Sequence, residues 1–186
     1  MSANEKSEET VLLIKKQIDE WVEMQPNLII TLDAPSGVGK TTVAKELGAR
    51  FVFEIIHMDK FLFPSKERID LLSKVRTTED LLNVYEKKWF DEVKVMKTIS
   101  DASSRNKIVI IEGLFPLNYV DRSKCKSIRL SPSKEVLIEL RRRKFTSFYK
   151  DNEKKRPRVN LLYKACDFAY NTYTQKHVAD FILKLS

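Results

Sequence analysis

The residues of this chain that are best suited to chemistry lie in one short stretch, TLDAPSGVGKTT at residues 31–42. From Ala34 to Thr41 it fits a recurring pattern: Ala or Gly, four residues of any type, Gly-Lys, and Ser or Thr. In that pattern the backbone N–H groups of a tight loop surround a phosphate, because glycine lets the backbone approach an oxygen closely. The stretch therefore predicts a phosphate-binding loop, the P-loop.

Each residue type in this loop has a role in holding a nucleotide. Lys40 would reach the β- and γ-phosphates, the Thr41 hydroxyl would bind Mg²⁺, and a helix opening at Lys40 would direct its positive end at the anion. We therefore predict ATP and Mg²⁺ as cofactors. The predicted nucleotide-binding residues are Ser36, Gly37, Val38, Gly39, Lys40, Thr41 and Thr42.

The neighbouring sequence meets the structural requirement of a P-loop, which is a strand before it and a helix after it. Residues 28–32 read LIITL, an apolar run typical of a buried strand. After the loop, apolar residues recur at helical spacing, at Val43, Ala44 and Leu47, and Gly48 is placed to end that helix. The alternative is a plain strand–turn–helix connection, but the lysine and threonine of the motif favour phosphate binding.

Two carboxylates follow further apolar runs. Asp59 comes after the predicted strand 51–57, and Glu112 stands with Gly113 at the end of KIVIIEG, residues 107–113. Because parallel strands present their carboxyl ends at one edge of a sheet, we expect both acids to converge on the P-loop. Asp59 is then the predicted catalytic base for an acceptor hydroxyl, and Glu112 joins Thr41 as a predicted metal ligand, with Gly113 leaving room beside it.

These two acids also have simpler interpretations. Asp59 could be a turn or helix-cap residue, and Glu112 could be an exposed charge at a strand end. His57 is interpreted as structural, and the aromatic side chains nearby form either an acceptor pocket or part of the core. Those aromatic residues are Phe61, Phe63, Tyr85 and Trp89.

A basic segment lies near the carboxyl end of the chain. Residues 134–160 carry ten Lys or Arg against four acids, a net charge of +6. We predict a lid-like segment in which Arg141 and Arg143 act in catalysis by neutralising charge on the transferred phosphate. The alternative is a solvated helix face, since adjacent helical residues point in different directions. The cluster also includes Arg142, Lys144, Arg156 and Arg158.

Composition limits the class of protein. The 186 residues are 42% hydrophobic and 32% charged, which predicts one globular domain spanning residues 1–186. The beginning has no secretory pattern and no apolar run is long enough for a membrane span, so we expect a cytoplasmic protein. Cys125, Cys166 and the only two histidines lack metal-binding spacing, and we interpret both cysteines as small buried hydrophobic residues.

Apolar strands alternate with amphipathic helices along the chain. This predicts an α/β fold of the three-layer P-loop NTPase type, with a parallel sheet of about five strands and helices on both faces. Residues 1–26 predict an added N-terminal helix. A longer amphipathic segment, with apolar residues at helical spacing from Leu82 to Met96, is predicted to stop near SDASSRN at residues 100–106. Further strands are predicted at 125–130 and 178–185, and helices at 131–145 and 157–175.

The chain resembles the uridine kinase-like family of P-loop kinases, which includes nucleoside, pantothenate and ribosylnicotinamide kinases. The resemblance rests on DAPSGVGKTT, on HMDKFLFP at residues 57–64 and on IVIIEGLFPL at residues 108–117. It implies ATP- and Mg²⁺-dependent phosphorylation of a hydroxyl on a small, nucleoside-like metabolite, with Asp59 as base and Thr41 and Glu112 near the metal.

Three other functions stay open from the sequence. The P-loop also resembles that of cytidylate kinases, which predicts a nucleoside monophosphate kinase. A GTP-dependent switch would need an Asn-Lys-x-Asp segment, and the nearest match, RNKIV, has valine in place of the acid. A non-catalytic nucleotide- or nucleic-acid-binding protein would use the basic segment, although no nucleic-acid motif is present.

Overall fold

Five parallel strands form one sheet at the centre of the described structure. The structure, a computed structural model, describes the backbone of residues 3–149 and 156–185 and the side chains of residues 7–143 and 164–185. The strand order is β2–β3–β1–β4–β5. The strands are β1 (Leu28–Asp33), β2 (Glu54–His57), β3 (Ile108–Gly113), β4 (Cys125–Pro132) and β5 (Phe181–Leu185). The predicted α/β fold is confirmed.

Helices cover both faces of the sheet. They are α1 (Ala3–Met24), α2 (Lys40–Arg50), α3 (Ser65–Ser73), α4 (Thr78–Lys87), α5 (Glu92–Arg105), α6 (Lys134–Tyr149) and α7 (Arg156–Lys176). One hydrophobic core packs α1 and α2 against the sheet, and it includes Ile14 of α1, Leu47 of α2 and Ile30 of β1. The other joins α5 and α7 to the opposite face. The predicted N-terminal helix is present and buries Val11, Ile14 and Ile18 completely.

The strand register aligns the residues at the carboxyl edge of the sheet. His57 of β2 lies opposite Glu112 of β3, and Glu112 lies opposite Leu32 of β1. Asp33 lies between Gly113 on one side and Arg129 of β4 on the other. Three central strands therefore deliver polar side chains to the same edge, directly beside the loop that connects β1 to α2.

Two boundaries near the P-loop differ from the sequence prediction. The second strand is shorter than predicted and begins at Glu54. The prediction that Gly48 ends the P-loop helix is wrong, because α2 continues to Arg50. A Cβ atom at position 48 would lie 2.7 Å from Cγ1 of Ile55, so this glycine allows close packing between α2 and β2.

The predicted amphipathic segment around residues 82–96 forms two helices. Helix α4 ends at Lys87, and α5 starts after Asp91, whose side chain accepts a hydrogen bond from the backbone N–H of Lys94. This N-cap explains the break, because it satisfies an amide at the start of the new helix. Helix α5 then ends at Arg105, within the polar segment 100–106 that was predicted to end it. Over the described residues, no helix has the length and apolarity that a membrane span requires.

Candidate active site

The loop between β1 and α2 has the backbone conformation that its glycines allow. Gly37 and Gly39 both have a φ angle of +93°, in the region where side chains other than that of glycine are strained. Gly39 is the N-cap of α2 and no side chain caps that helix end. The first amides of α2 are thus left for another acceptor, as a phosphate-binding helix end requires.

Lys40 and Thr41 occupy the first turn of α2. Only 8% of Lys40 is exposed although its side chain carries a charge. A buried amine of this kind needs a negative partner, and the phosphates of a nucleotide are the partner that the motif predicts. The structure therefore places the lysine, the threonine hydroxyl and the uncapped helix end together, on the loop predicted to bind nucleotide.

Glu112 links the P-loop helix to β2. Its side chain is buried, and one carboxylate oxygen accepts a hydrogen bond from the Thr41 hydroxyl, with 3.3 Å between Oγ1 and Oε2. The other oxygen lies 2.8 Å from Nδ1 of His57. The two predicted metal ligands are thus adjacent, and His57 holds one of them in place.

These oxygen donors fit Mg²⁺ as P-loop proteins bind it. Mg²⁺ is held through one or two protein oxygens together with phosphates and water, rather than by a full cage of side chains. Thr41 and Glu112 offer one hydroxyl and one carboxylate. Among the residues that the structure describes, no group of three or more His, Cys, Asp or Glu residues is suited to a metal.

Gly113 has a different role from the one predicted. A Cβ atom at this position would lie 2.3 Å from Cβ of Met58, far inside van der Waals contact. The space beside Gly113 is therefore filled by Met58 and does not serve the metal or the phosphates. The glycine instead lets the 3₁₀ turn Met58–Phe61, which carries Asp59, pack directly on β3.

Asp59 lies on that turn with its side chain exposed. The turn is capped at His57, not at Asp59, and Asp59 is its first acid. Its charge acts on the buried thiol of Cys166 on α7, as do the charges of Lys40 and Arg141. Burial, together with the negative charge of Asp167, raises the pKa of the Cys166 thiol to about 12.

The two predicted catalytic arginines have different surroundings. Arg141 is mostly buried; its Nε donates to the backbone oxygen of Ser36 in the P-loop at 2.9 Å. Arg143 is exposed and its Nε bonds to Glu139 at 2.8 Å, on the solvent side of α6. The structure brings Arg141 to the P-loop and leaves Arg143 away from it. The side chains of Lys144, Arg156 and Arg158 lie outside the described residues.

Sequence reasoning missed a buried polar cluster directly before the P-loop. Asp33 is completely buried and accepts hydrogen bonds from Nε and Nη2 of Arg129, at 2.9 and 3.2 Å, and from the hydroxyl of Tyr170 at 2.7 Å. Burial alone would lower the pKa of Arg129, but the hydrogen bonds and charge of Asp33 outweigh it and raise that pKa. The signal was an arginine inside the apolar strand CKSIRL.

The aromatic residues near Asp59 are mainly core. Tyr85 and Trp89 are buried, and their ring centroids lie 4.4 Å apart. The guanidinium of Arg68 covers the Trp89 ring at 5.1 Å. Since Trp89 is also only 7% exposed, its ring is part of the core. Phe61 and Phe63 are half-buried and remain the aromatic side chains that an acceptor molecule could contact.

Comparisons with solved structures agree with this fold. The protein YGR205w aligns over 97% of this chain and 94% of its own, with a TM-score of 0.63 and 12% identity. D-glycerate 3-kinase from Cryptococcus neoformans var. grubii aligns over 96% and 95%, with a TM-score of 0.58 and 12% identity. A protein described as a possible uridine kinase from Bacillus stearothermophilus aligns over 91% and 98%, with a TM-score of 0.53 and 15% identity.

These likenesses establish the P-loop kinase fold. The resemblance to uridine kinase-like proteins that the motifs indicated is confirmed at the level of the fold. No protein-family model matches the chain, and no curated protein matches it by sequence.

Proposed function

We propose that this protein is an ATP-dependent small-molecule kinase that transfers the γ-phosphate to a hydroxyl group of a nucleoside-like metabolite. One observation carries the proposal: the Thr41 hydroxyl and the buried Glu112 carboxylate, from elements far apart in sequence, lie 3.3 Å apart next to the P-loop. A protein that only bound phosphate would need the loop but not this second acid. Solved structures of the same fold that are named as kinases support the proposal.

Phosphoryl transfer depends mainly on position and charge. In the proposed reaction the amides of residues 36–41 and the Lys40 ammonium hold the triphosphate. Thr41 and Glu112 hold Mg²⁺, which neutralises charge on the phosphates when it is bound. Arg141, at the Ser36 carbonyl, is close enough to the loop to contribute a further positive charge.

The acceptor side is assigned to Asp59. Its exposed carboxylate, on a turn fixed against Gly113, would accept the proton of the attacking hydroxyl. Accepting a proton requires a carboxylate with access to the substrate, and exposure gives Asp59 that access. Glu112 is buried and already bonded to Thr41 and His57, so it is poorly suited to this step.

A nucleoside monophosphate kinase is the second candidate. Its acceptor carries a phosphate, so its site needs cations on the acceptor side of the P-loop. Arg68, whose Nε donates to the backbone oxygen of Phe63 at 2.9 Å, is a cation close to the turn that carries Asp59. A screen that includes both acceptor types separates the two candidates.

The test is a screen for acceptor-dependent ADP release. Purified protein is incubated with MgATP and single candidate acceptors: nucleosides, nucleoside monophosphates, vitamins, sugars and hydroxy acids. We expect one class to raise ADP release and mass spectrometry to find a product heavier by one phosphate. The matched control is Lys40→Ala, which should lose the signal. If no acceptor raises ADP release above that control, the proposed kinase activity is wrong.

A further inference from the structure

A carboxylate on α7 binds an arginine that contacts the P-loop. Asp167 on α7 contacts Arg141 on α6, and these residues are 26 positions apart in the chain. We propose that Asp167 is a positioning residue, which holds the Arg141 guanidinium across the P-loop for binding the nucleotide phosphates. This inference rests on the proposed function, because it concerns the same nucleotide site.

The hydrogen bonds of Arg141 use two different edges of its guanidinium group. Asp167 accepts from Nη1 at 2.6 Å and from Nη2 at 2.5 Å, which is a bidentate pair on the outer edge. The Nε atom, on the adjacent edge, donates to the backbone oxygen of Ser36 at 2.9 Å. Asp167 therefore fixes the plane of the guanidinium, and the fixed plane turns its other edge toward the P-loop.

Packing supports the same assignment. A Cβ atom at Gly37 would lie 3.0 Å from Cγ of Arg141, so the arginine stem lies directly on the glycine of the loop. The Arg141 side chain is 15% exposed and that of Asp167 is 31% exposed. A charged pair that is partly removed from water is held more firmly than a surface pair, because solvent screens it less.

Other ion pairs of α6 and α7 serve as a comparison for the pair between Arg141 and Asp167. Arg142 and Arg143 both bond to Glu139 on the exposed side of α6. Lys176 of α7 bonds to Glu86 of α4 at 3.1 Å. Among these pairs, the one between Arg141 and Asp167 is the pair that also contacts the loop.

The test is a double-mutant cycle on the affinity for MgATP, measured by isothermal titration calorimetry on Asp167→Asn, Arg141→Lys and the double variant. The asparagine loses the charged bidentate pair, and the lysine cannot use two edges at once. We expect each single change to raise the Kd about tenfold, and the double change to raise it no further than the larger single change. The control Glu86→Gln removes another contact of α7 and should leave the Kd unchanged.

The possible results separate the two proposals. If Asp167→Asn lowers the melting temperature but keeps the wild-type Kd, Asp167 acts only on stability. If the two losses of affinity multiply to about a hundredfold, Asp167 acts independently of Arg141. Either result shows that the inference is wrong. Should Asp167→Asn not fold, Asp167→Glu replaces it, since it keeps the charge but moves the carboxylate; an unchanged Kd there also overturns the inference. If the wild-type protein binds no MgATP, the proposed function itself is wrong.

Discussion

Asp33 and Arg129 form a buried, doubly hydrogen-bonded ion pair at the carboxyl edge of the sheet, immediately before the P-loop. The Nε–Oδ1 distance is 2.9 Å and the Nη2–Oδ2 distance is 3.2 Å. Nη2 of Arg129 also donates to the backbone oxygen of His177 at 2.8 Å, and the hydroxyl of Tyr170 donates to Asp33. The last residue of β1 is therefore tied to β4 and to α7, which fixes where the P-loop starts.

This ion pair predicts a large loss of stability when one partner is removed. Asp33→Asn keeps the shape of the side chain but leaves the Arg129 charge buried without compensation. We expect the free energy of unfolding to fall by about 3–5 kcal/mol, the cost of breaking a buried pair from one side. Urea unfolding followed by circular dichroism measures it.

The control for that prediction is the same substitution in an exposed pair. Asp19 bonds to Lys15 on the surface of α1. Asp19→Asn should change the free energy of unfolding by no more than about 0.5 kcal/mol. Equal effects of the two substitutions would mean that the Asp33–Arg129 pair contributes no more than a surface pair.

Gly113 gives a second prediction, about the turn that carries Asp59. In Gly113→Ala the new methyl group would meet Cβ of Met58, which is 2.3 Å from the ideal Cβ position, so the turn must move. We expect a loss of about 1–3 kcal/mol in stability, as for other overpacked sites. Turnover with an acceptor should fall by more than MgATP affinity, because the turn holds the proposed base and not the P-loop.

The double variant Gly113→Ala with Met58→Ala tests which part of the Met58 side chain causes the effect. It removes the rest of the Met58 side chain but keeps the Cβ atom that makes the contact. Turnover should therefore stay low in the double variant. Recovery of normal turnover would show that the longer part of the methionine, and not the approach of the turn, explains the effect.

The thiol of Cys166 provides a prediction about pH and reactivity. Burial raises its pKa from 9.0 to about 12, so at pH 8 only about 10⁻⁴ of it is thiolate, compared with about a tenth for an unperturbed cysteine. In a Cys125→Ser variant, labelling of the remaining thiol by iodoacetamide should be at least a hundredfold slower in the native protein than in urea. A native rate close to the unfolded rate would contradict the burial of this residue.

The raised pKa of Cys166 also determines how the free energy of unfolding depends on pH. Since the folded pKa is raised above the unfolded value of 9.0, the thiol contributes stability that is fully present below pH 9. That contribution is lost as the pH rises from 9 toward 12.

The sequence predicted the parts of the molecule whose signals are local. The P-loop, its flanking strand and helix, and the acids after apolar strands are read from neighbouring residues, and the sheet rule predicted where they meet. Contacts made by distant residues were not predictable in this way. Asp33 and Arg129 are 96 positions apart, and nothing in one sequence pairs an acid before a P-loop with an arginine in a later strand.

The errors in the predicted elements have local causes as well. Glycine is common at the end of a helix, but Gly48 lies inside α2, where the missing side chain leaves room for Ile55 of β2. The division between α4 and α5 had a visible signal, an Asp at position 91 before a helical pattern, yet the apolar spacing across it continued without a break. Periodicity alone cannot separate one bent segment from two helices, whereas capping residues can.

Asp59 carries the prediction that separates a kinase from a protein that only holds a nucleotide. A carboxylate beside the acceptor hydroxyl matters only when that hydroxyl loses its proton. Asp59→Asn should therefore keep the melting temperature and the Kd for MgATP, while kcat with the acceptor found in the screen falls about 10²–10⁴-fold. The side chain is exposed and is not the cap of its turn, so asparagine should cost little stability there.

The matched control is Asp101→Asn, which makes the same change at an exposed position on α5. It should leave kcat, the Kd and the melting temperature at wild-type values. If Asp59→Asn also keeps near-normal kcat, Asp59 is a turn residue, because asparagine replaces aspartate in turns almost without loss. If it instead loses MgATP binding in parallel with kcat, the residue acts on the nucleotide and not on the acceptor. Only a fall in kcat with preserved nucleotide affinity fits a base positioned by the packing of Met58 against Gly113.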